Sequence, residues 1–248
     1  MTPKAVAIVG YKNSGKTQVV EAITRELTKR GYHVATIKHT AETTILDTPG
    51  KDTQRHRLAG AQTTAILHNK GAAIFHQNPQ TIQQTAKTLG TPDYIILEGF
   101  KTQNYIPRIL VPITNKETTQ LTNGLEIAIA RLEHRQLTHS IPIIDITDPQ
   151  ELTNIVQAKA FSLLPGNNCN ACGHINCSEM AKALLKGEST IDQCVGYSTG
   201  GVNIKVDGKL VPLNKFTKDI TRNIINGILK SLKGVNQEGK IELVIEDE

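Results

Sequence analysis

Tryptophan is absent from this chain of 248 residues, and aromatic side chains make up only 4% of it. Stacking platforms for single-stranded nucleic acid are therefore scarce, and no nucleic-acid partner is expected. No apolar run approaches the roughly 18 residues that a membrane span needs, so no membrane partner is expected either. The N-terminus enters a strand-like run at once, without the apolar core and cleavage site of an export signal. The reading is a cytoplasmic protein. Cysteine is missing from everything before Cys169, and the only four cluster between Cys169 and Cys194. A disulfide framework is out of place in a chain without an export signal, so a metal site is the better reading of that cluster. The net charge of +5 is mild, and the basic excess suits phosphate ligands or an acidic partner.

What is present is dominated by Gly10-Tyr-Lys-Asn-Ser-Gly-Lys-Thr17. The apolar run Ala5–Val9 precedes it, and a helical pattern with Val19, Val20, Ile23 and Leu27 follows it. Strand, glycine loop and helix are the context that a G-x-x-x-x-G-K-[ST] phosphate loop (Walker A) requires. Backbone N–H groups of such a loop converge on phosphate oxygens, and the helix N-terminus adds its positive dipole end. Gly10 and Gly15 keep side chains away from the phosphates, and Asn13 and Ser14 complete the loop. Lys16 is expected at the β- and γ-phosphates, and the Thr17 hydroxyl on Mg²⁺.

Further along, His33–Ile37 reads as a second strand, and a polar stretch runs from Lys38 to Ala61. It is read as a switch or substrate loop on the phosphate side, with His39, Asp47, Lys51, Asp52 and Arg55 as candidate ligands. Thr64–Leu67 and Ala72–Phe75 read as strands, and Asn78-Pro79 as the start of a helix. Tyr94–Leu97 is a near-continuous apolar run, as in a central parallel strand, and Glu98 ends it. An acid there is placed to face Mg²⁺ or to orient water, which makes Glu98 the candidate catalytic residue. Weaker strands follow at Ile109–Ile113, Ile127–Ala130 and Ile141–Ile144, then a helix opened by Asp148-Pro149-Gln150-Glu151. Alternating strands and helices imply an α/β fold: a three-layer P-loop NTPase domain with a mainly parallel sheet. Asn115-Lys116-Glu117-Thr118 begins like a guanine-reading N-K-x-D, but threonine stands where the aspartate belongs, so the residues leave base preference open.

The boundary is placed at the composition shift Leu163–Asn168, giving a nucleotide domain over 1–160 and a second unit over 161–248. That second unit reads as a cysteine segment followed by a small ββαβ module. Its parts are Val202–Val206 and Lys209–Leu213 around Asp207-Gly208, a helix carrying Phe216, Ile220, Ile224, Ile228 and Leu232, and a strand at Ile241–Ile245. The cysteines are spaced C-x2-C-x4-C-x16-C: Cys169, Cys172, Cys177 and Cys194. Structural zinc suits four thiolates, but zinc ribbons pair two C-x2-C knuckles and only one is present. Three close thiolates and a distant fourth favour a [4Fe–4S] cluster. With a linker ahead of it and purely local ligands, this unit is expected to assemble its cluster without regard to the nucleotide.

Two resemblances sharpen these readings. Residues 4–112 resemble the MobB-type adaptor of molybdopterin-guanine dinucleotide biosynthesis. The likeness rests on the phosphate loop, Ile37–Thr40, Asp47–Thr53, Arg55-His-Arg57, Ala59-Gly-Ala61 and Glu98-Gly-Phe-Lys101. It implies a dimeric GTP-binding protein, with slow hydrolysis, that assists the molybdopterin guanylyltransferase. By the same resemblance Lys16 and Thr17 carry over to phosphate and Mg²⁺, Asp47 to the switch region and Glu98 to the metal side. Leu164–Gly173 with Cys177 and Cys194 is similar to the four-cysteine [4Fe–4S] segment of corrinoid iron–sulfur proteins and Rnf-type electron-transfer subunits. The expected function is that of a GTP-binding accessory protein in molybdenum or tungsten cofactor maturation, in contact with molybdopterin or its metal-bound form. The competing reading is a nucleotide-gated iron–sulfur electron carrier that activates a metalloenzyme. A third is an interaction module with structural zinc.

Overall fold

The computed structural model describes residues 3–40, 47–132, 135–197, 202, 204–206, 209–211, 213 and 215–232. The first elements are β1 (Lys4–Val9), α1 (Lys16–Lys29), β2 (Val34–Lys38), α2 (Asp52–Leu58), β3 (Thr63–His68), β4 (Gly71–His76), α3 (Ile82–Thr88) and β5 (Tyr94–Glu98). Then come β6 (Arg108–Leu110), α4 (Asn115–Leu121), β7 (Glu126–Arg131), β8 (Ile143–Asp145), α5 (Pro149–Lys159) and β9 (Phe161–Ser162). The described chain ends with α6 (Cys177–Lys186), β10 (Ile204–Val206), β11 (Lys209–Val211) and α7 (Lys215–Ser231).

The main sheet has the order β2-β5-β1-β6-β7-β8, every pair parallel, and β9 pairs antiparallel with the start of β1. Alternation along β1 divides the core. Val6 and Ile8 pack with Val19, Ile23 and Leu27 of α1 and with Leu152 and Val156 of α5. Ala5, Ala7 and Val9 face the opposite layer, with Ile82 of α3 and Leu121 of α4. These are the three layers expected of a strand set buried on both faces. The register sets Ile8 opposite Glu98, so the loop leaving β1 emerges beside the acid that ends β5.

Some expectations change. The polar stretch after β2 contains α2, which buries no residue. Its charges suit the helix dipole instead: Asp52 in the first turn and Arg55, His56 and Arg57 in the last. β3 and β4 do not enter the main sheet. They form a separate antiparallel hairpin, in which Ile66 and Leu67 are 50% and 83% exposed. The helix expected from Asn78-Pro79 starts at Ile82, because Thr81 and Gln84 make a reciprocal capping box there. By contrast, Asp148 caps α5 with Pro149 in its first turn, as the sequence indicates. Asp207 and Gly208, between β10 and β11, and the strand expected at Ile241–Ile245 lie outside the described residues.

The stretch that reads as a linker is packed. Leu163 and Leu164 are buried, Leu163 N donates to Pro3 O, and the Gln83 side chain donates to Leu164 O at 3.0 Å. A Cβ on Gly166, whose φ is +72°, would lie 2.8 Å from the Tyr105 ring. Leu164, Cys177, Met180 and Cys194 share one apolar cluster with Leu125, and Tyr105 and Phe161 pack against it.

Arg108 on β6 is buried, 2% exposed, among backbone carbonyls: it donates to Leu121 O at 3.2 Å, to Lys101 O and to Gln103 O. Burial lowers its pKa, and Glu126 partly opposes that. The guanidinium therefore ties the 101–103 turn to the sheet. Arg108→Met should cost about 2–4 kcal/mol, because buried carbonyls are left unpaired. Urea unfolding checks this: a lowered midpoint at unchanged slope is expected, and an unchanged midpoint would show that these bonds add nothing.

Candidate nucleotide and cysteine sites

The phosphate loop is built on close approaches that only glycine permits. A Cβ on Gly10 would sit 2.4 Å from Ser14 Oγ and 2.6 Å from Val111 O. Gly15 has φ +92°, and a Cβ there would lie 2.1 Å from Leu132. Asn13 is also left-handed, with φ 60°. Arg135 braces the loop from outside, donating to Ser14 O at 2.9 Å and to Pro112 O at 3.0 Å. The Ser14 hydroxyl is buried with no partner among the described residues. No side chain caps α1, so its first amides are not taken by a protein acceptor there.

Lys16, Thr17 and Glu98 come together. Thr17 Oγ1 donates to Glu98 Oε1 at 2.9 Å, and Lys38 Nζ lies 3.1 Å from the same oxygen. Lys16 Nζ donates to Tyr11 O at 2.5 Å, within its own loop. Its pKa is lowered, first by burial; Glu98 opposes this, and Lys101 and Lys38 add to it. An ammonium crowded by cations and partly desolvated is ready for an anion. Thr17 and Glu98 offer adjacent hard oxygens, the donor type that Mg²⁺ takes.

Asp47 stands elsewhere. Its carboxylate is buried and engaged by Thr53 Oγ1 at 2.9 Å and by Arg57 at 3.0 Å, and it does not line the cavity at the loop. Of the other polar-stretch candidates, His39 lines that cavity, while Lys51, Asp52 and Arg55 do not. The Asn115–Thr118 stretch spends its polar groups internally: Asn115 Oδ1 accepts from Thr138 N, and buried Thr118 donates to Thr114 O.

The cavity is about 1130 Å³ and runs from the phosphate loop past Lys38, Glu98 and Lys101 to Gln80–Gln83, Gln103, Tyr105 and Pro165–Asn167. The last three residues lead straight into the cysteines. A second cavity of about 350 Å³ lies on the other side of the loop, against Leu132, Arg135 and Ile146. Sequence reasoning missed Gln80, Gln83, Gln103 and Tyr105, and no local pattern marks them.

All four cysteines are free thiols, Cys177 and Cys194 buried, Cys169 and Cys172 partly so. Asn168 and Asn170 are left-handed, with φ 49° and 57°, and Asn168 Oδ1 accepts from Cys177 N at 2.9 Å. Cys177 opens α6, at the helix N-terminus. Burial above all pushes the Cys194 thiol up to about 11; a backbone N–H from Gly196 opposes this, and Cys172, Cys177 and Cys169 add to it. Lys218 of α7 is buried near enough for the Cys194 charge to be felt. Among the described residues, no three His, Cys, Asp or Glu side chains gather tightly enough for a single metal ion. Also among the described residues, no helix is long and apolar enough to cross a membrane.

The family model "Molybdopterin guanine dinucleotide synthesis protein B" matches residues 5–131, and the model "Putative Fe-S cluster" matches residues 164–195. A "Putative molybdopterin-guanine dinucleotide biosynthesis adapter protein" of Methanocaldococcus jannaschii is 30% identical over 250 residues, spanning 98% of this chain and 97% of that protein. The molybdopterin-guanine dinucleotide biosynthesis adapter protein of Escherichia coli is 30% identical over 159 residues, 61% of this chain and 90% of that one. Among solved structures, the crystal structure of Bacillus subtilis MobB superposes with a TM-score of 0.54 at 25% identity, covering 64% of this chain and 98% of that one. The archaeal likeness runs through the cysteine segment, and the bacterial structure covers the sheet. The chain therefore belongs to the molybdopterin-guanine dinucleotide synthesis protein B family, in a form that carries an Fe-S family segment behind the sheet.

Proposed function

We propose that this protein is a GTP-binding adapter of molybdopterin-guanine dinucleotide synthesis that carries a [4Fe–4S] cluster on Cys169, Cys172, Cys177 and Cys194. The observation that carries the nucleotide half is the meeting of Lys16, Thr17 and Glu98 at the mouth of one cavity. The loop amides and Lys16 would hold the β- and γ-phosphates, with Lys38 and Lys101 adding positive charge. Thr17 would ligate Mg²⁺, and Glu98, which holds the Thr17 hydroxyl, would act on the metal side or orient water in a slow hydrolysis. Mg²⁺ held there would supply charge neutralisation to the phosphates. The preference for guanine rests on family membership and not on Asn115–Thr118. Adapter action then consists of presenting the nucleotide-loaded surface to the guanylyltransferase, with molybdopterin or its metal-bound form as the other reactant. Asp47, tied to α2 through Arg57, is assigned to a switch region beside the site, away from phosphate.

For the cysteines, the match of residues 164–195 to an Fe-S family model, with one C-x2-C where zinc ribbons pair two, supports a cluster over zinc. A bound cluster would supply one-electron chemistry or a covalent brace. One observation favours the electron-carrier alternative as a second reading: Pro165–Asn167, ending two residues before Cys169, wall the proposed nucleotide cavity. A cluster potential that shifts on adding GTP would move the weight to that reading.

The β3–β4 hairpin supports a homodimer. A lone two-stranded hairpin is marginal in water, and its apolar residues and open edges invite a second copy of the same chain. Leu67→Asp should turn a dimer into a monomer in sedimentation equilibrium. A monomeric parent, or a dimer that ignores the charge, would contradict this.

Lys16→Ala removes one charge-assisted contact of about 1.5–3 kcal/mol, a ten- to hundredfold loss of GTP affinity by calorimetry. An unchanged affinity would sink the phosphate-loop assignment. Cys172→Ser should lose visible absorbance and most of the iron from anaerobically purified protein. Retained iron would mean a different ligand set.

A further inference from the structure

The nucleotide reading leaves one end of the large cavity without an occupant. Lys16, Thr17 and Glu98 take the terminal phosphate and its metal on the β5 side of the loop. The rest of an extended nucleotide therefore runs the other way, toward the smaller cavity against Leu132, Arg135 and Ile146. The two cavities share Asn13, Gly15 and Gln18, so one nucleotide can lie across the loop between them. Beyond the γ-phosphate, the large cavity continues to Gln80, Gln83, Gln103, Tyr105, Gly166 and Asn167. The loop end is crowded with lysines, whereas none of these six carries a charge.

The side-chain amides at this neutral end leave acceptors open. Gln80 Nε2 donates to Asn78 O and Pro79 O, at 3.1 and 3.4 Å. Gln83 Nε2 donates to Leu164 O at 3.0 Å and to Tyr105 Oη at 3.2 Å. Both amide nitrogens are thus spent inside the protein, and neither carboxamide oxygen accepts a hydrogen bond from the described residues. The Tyr105 ring is held in place by Gly166, which has no room for a Cβ. Two open acceptors, the Gln83 one held by Leu164 and Tyr105 and the Gln80 one on an exposed loop, beside a fixed aromatic ring suit a flat ligand with neighbouring N–H donors and no charge on that edge.

We propose that this end of the cavity binds a fused 2-amino-4-oxopyrimidine, the heterocycle that pterins and guanine share, as a second ligand beyond the γ-phosphate. Its ring N–H and amino group would donate to the Gln80 and Gln83 oxygens. The assignment rests on the nucleotide reading of the loop and extends it: the protein would hold nucleotide and heterocycle side by side, in a cleft whose far wall is the segment that leads into the cysteines.

The test is fluorescence anisotropy of 6-hydroxymethylpterin with the full chain, purified anaerobically with its metal retained. It is run with and without saturating Mg²⁺ and a non-hydrolysable GTP analogue. Saturable pterin binding that persists in the presence of the analogue is expected. Gln80→Leu should weaken it roughly three- to tenfold and Gln80→Glu, which keeps the acceptor, by less. Nucleotide affinity should be unmoved in both variants. Guanosine added to the nucleotide-loaded chain decides the source: displacement of pterin assigns the site to guanine, and no displacement assigns it to a pterin, either outcome keeping the heterocycle class. Stoichiometric displacement of pterin by the GTP analogue, or no pterin binding to a chain that binds the analogue, overturns the second site. Pterin binding by a chain that never binds the analogue overturns the phosphate-loop reading, and with it the placement beyond a γ-phosphate.

Discussion

Glu98 is the buried carboxylate on which the site depends. A carboxylate withdrawn from water needs compensation, and it comes from Thr17 at the start of α1 and Lys38 at the end of β2. Those partners belong to different elements, which the sheet order β2-β5-β1 sets side by side. The register Ile8↔Glu98 brings the loop after β1 level with the acid. One interaction thus fixes the loop, the helix N-terminus and the neighbouring strand end in the arrangement that a phosphate and its metal require. Crevices outside the carboxyl ends of parallel strands are the usual place for ligands in such sheets.

The second organising feature is that the cysteine segment is packed against the sheet. β9 pairs with the start of β1, Leu163 and Leu164 are buried, and Gly166 fits against Tyr105. Gly196 is held equally closely, since a Cβ there would lie 2.4 Å from Pro165. Pro165–Asn167 consequently form a wall of the cavity that begins at Lys16. An event at the cysteines and an event at the phosphate loop would act on a common surface. This packing departs from the linker expected at Leu163–Asn168.

Much of this was legible in the sequence, and the limits have physical causes. The phosphate loop was readable because its chemistry is local: glycine at fixed offsets, a lysine and a threonine, with apolar strand and amphipathic helix on either side. Glu98 stood out because a buried strand that ends in an acid is uncommon, and the fold sets it against Thr17. The Asp148 cap and the α1 stripe were equally local. The β3–β4 hairpin was read as strands but not as a separate pair, because alternation does not say which sheet a strand joins. Asn78-Pro79 was passed over because the Thr81–Gln84 box satisfies two orphan amides at once. Asp47 is engaged by Arg57, only ten residues away, a pairing that no local pattern marks. Gln80, Gln83 and Tyr105 carry no motif, and only folding sets them across from Gly166. Nor could composition reveal that Leu163–Asn168 is packed, since Pro, Gly and Asn serve tight walls as well as linkers.

The loop at residues 10–17 and the segment leading into the cysteines line one cleft. Hydrogen–deuterium exchange on the full anaerobic protein, with and without Mg²⁺ and a non-hydrolysable GTP analogue, measures whether they respond together. Protection is expected to rise over residues 10–17 and, in the same titration, over residues 164–168. Protection that saturates in the loop while 164–168 exchange unchanged would contradict it.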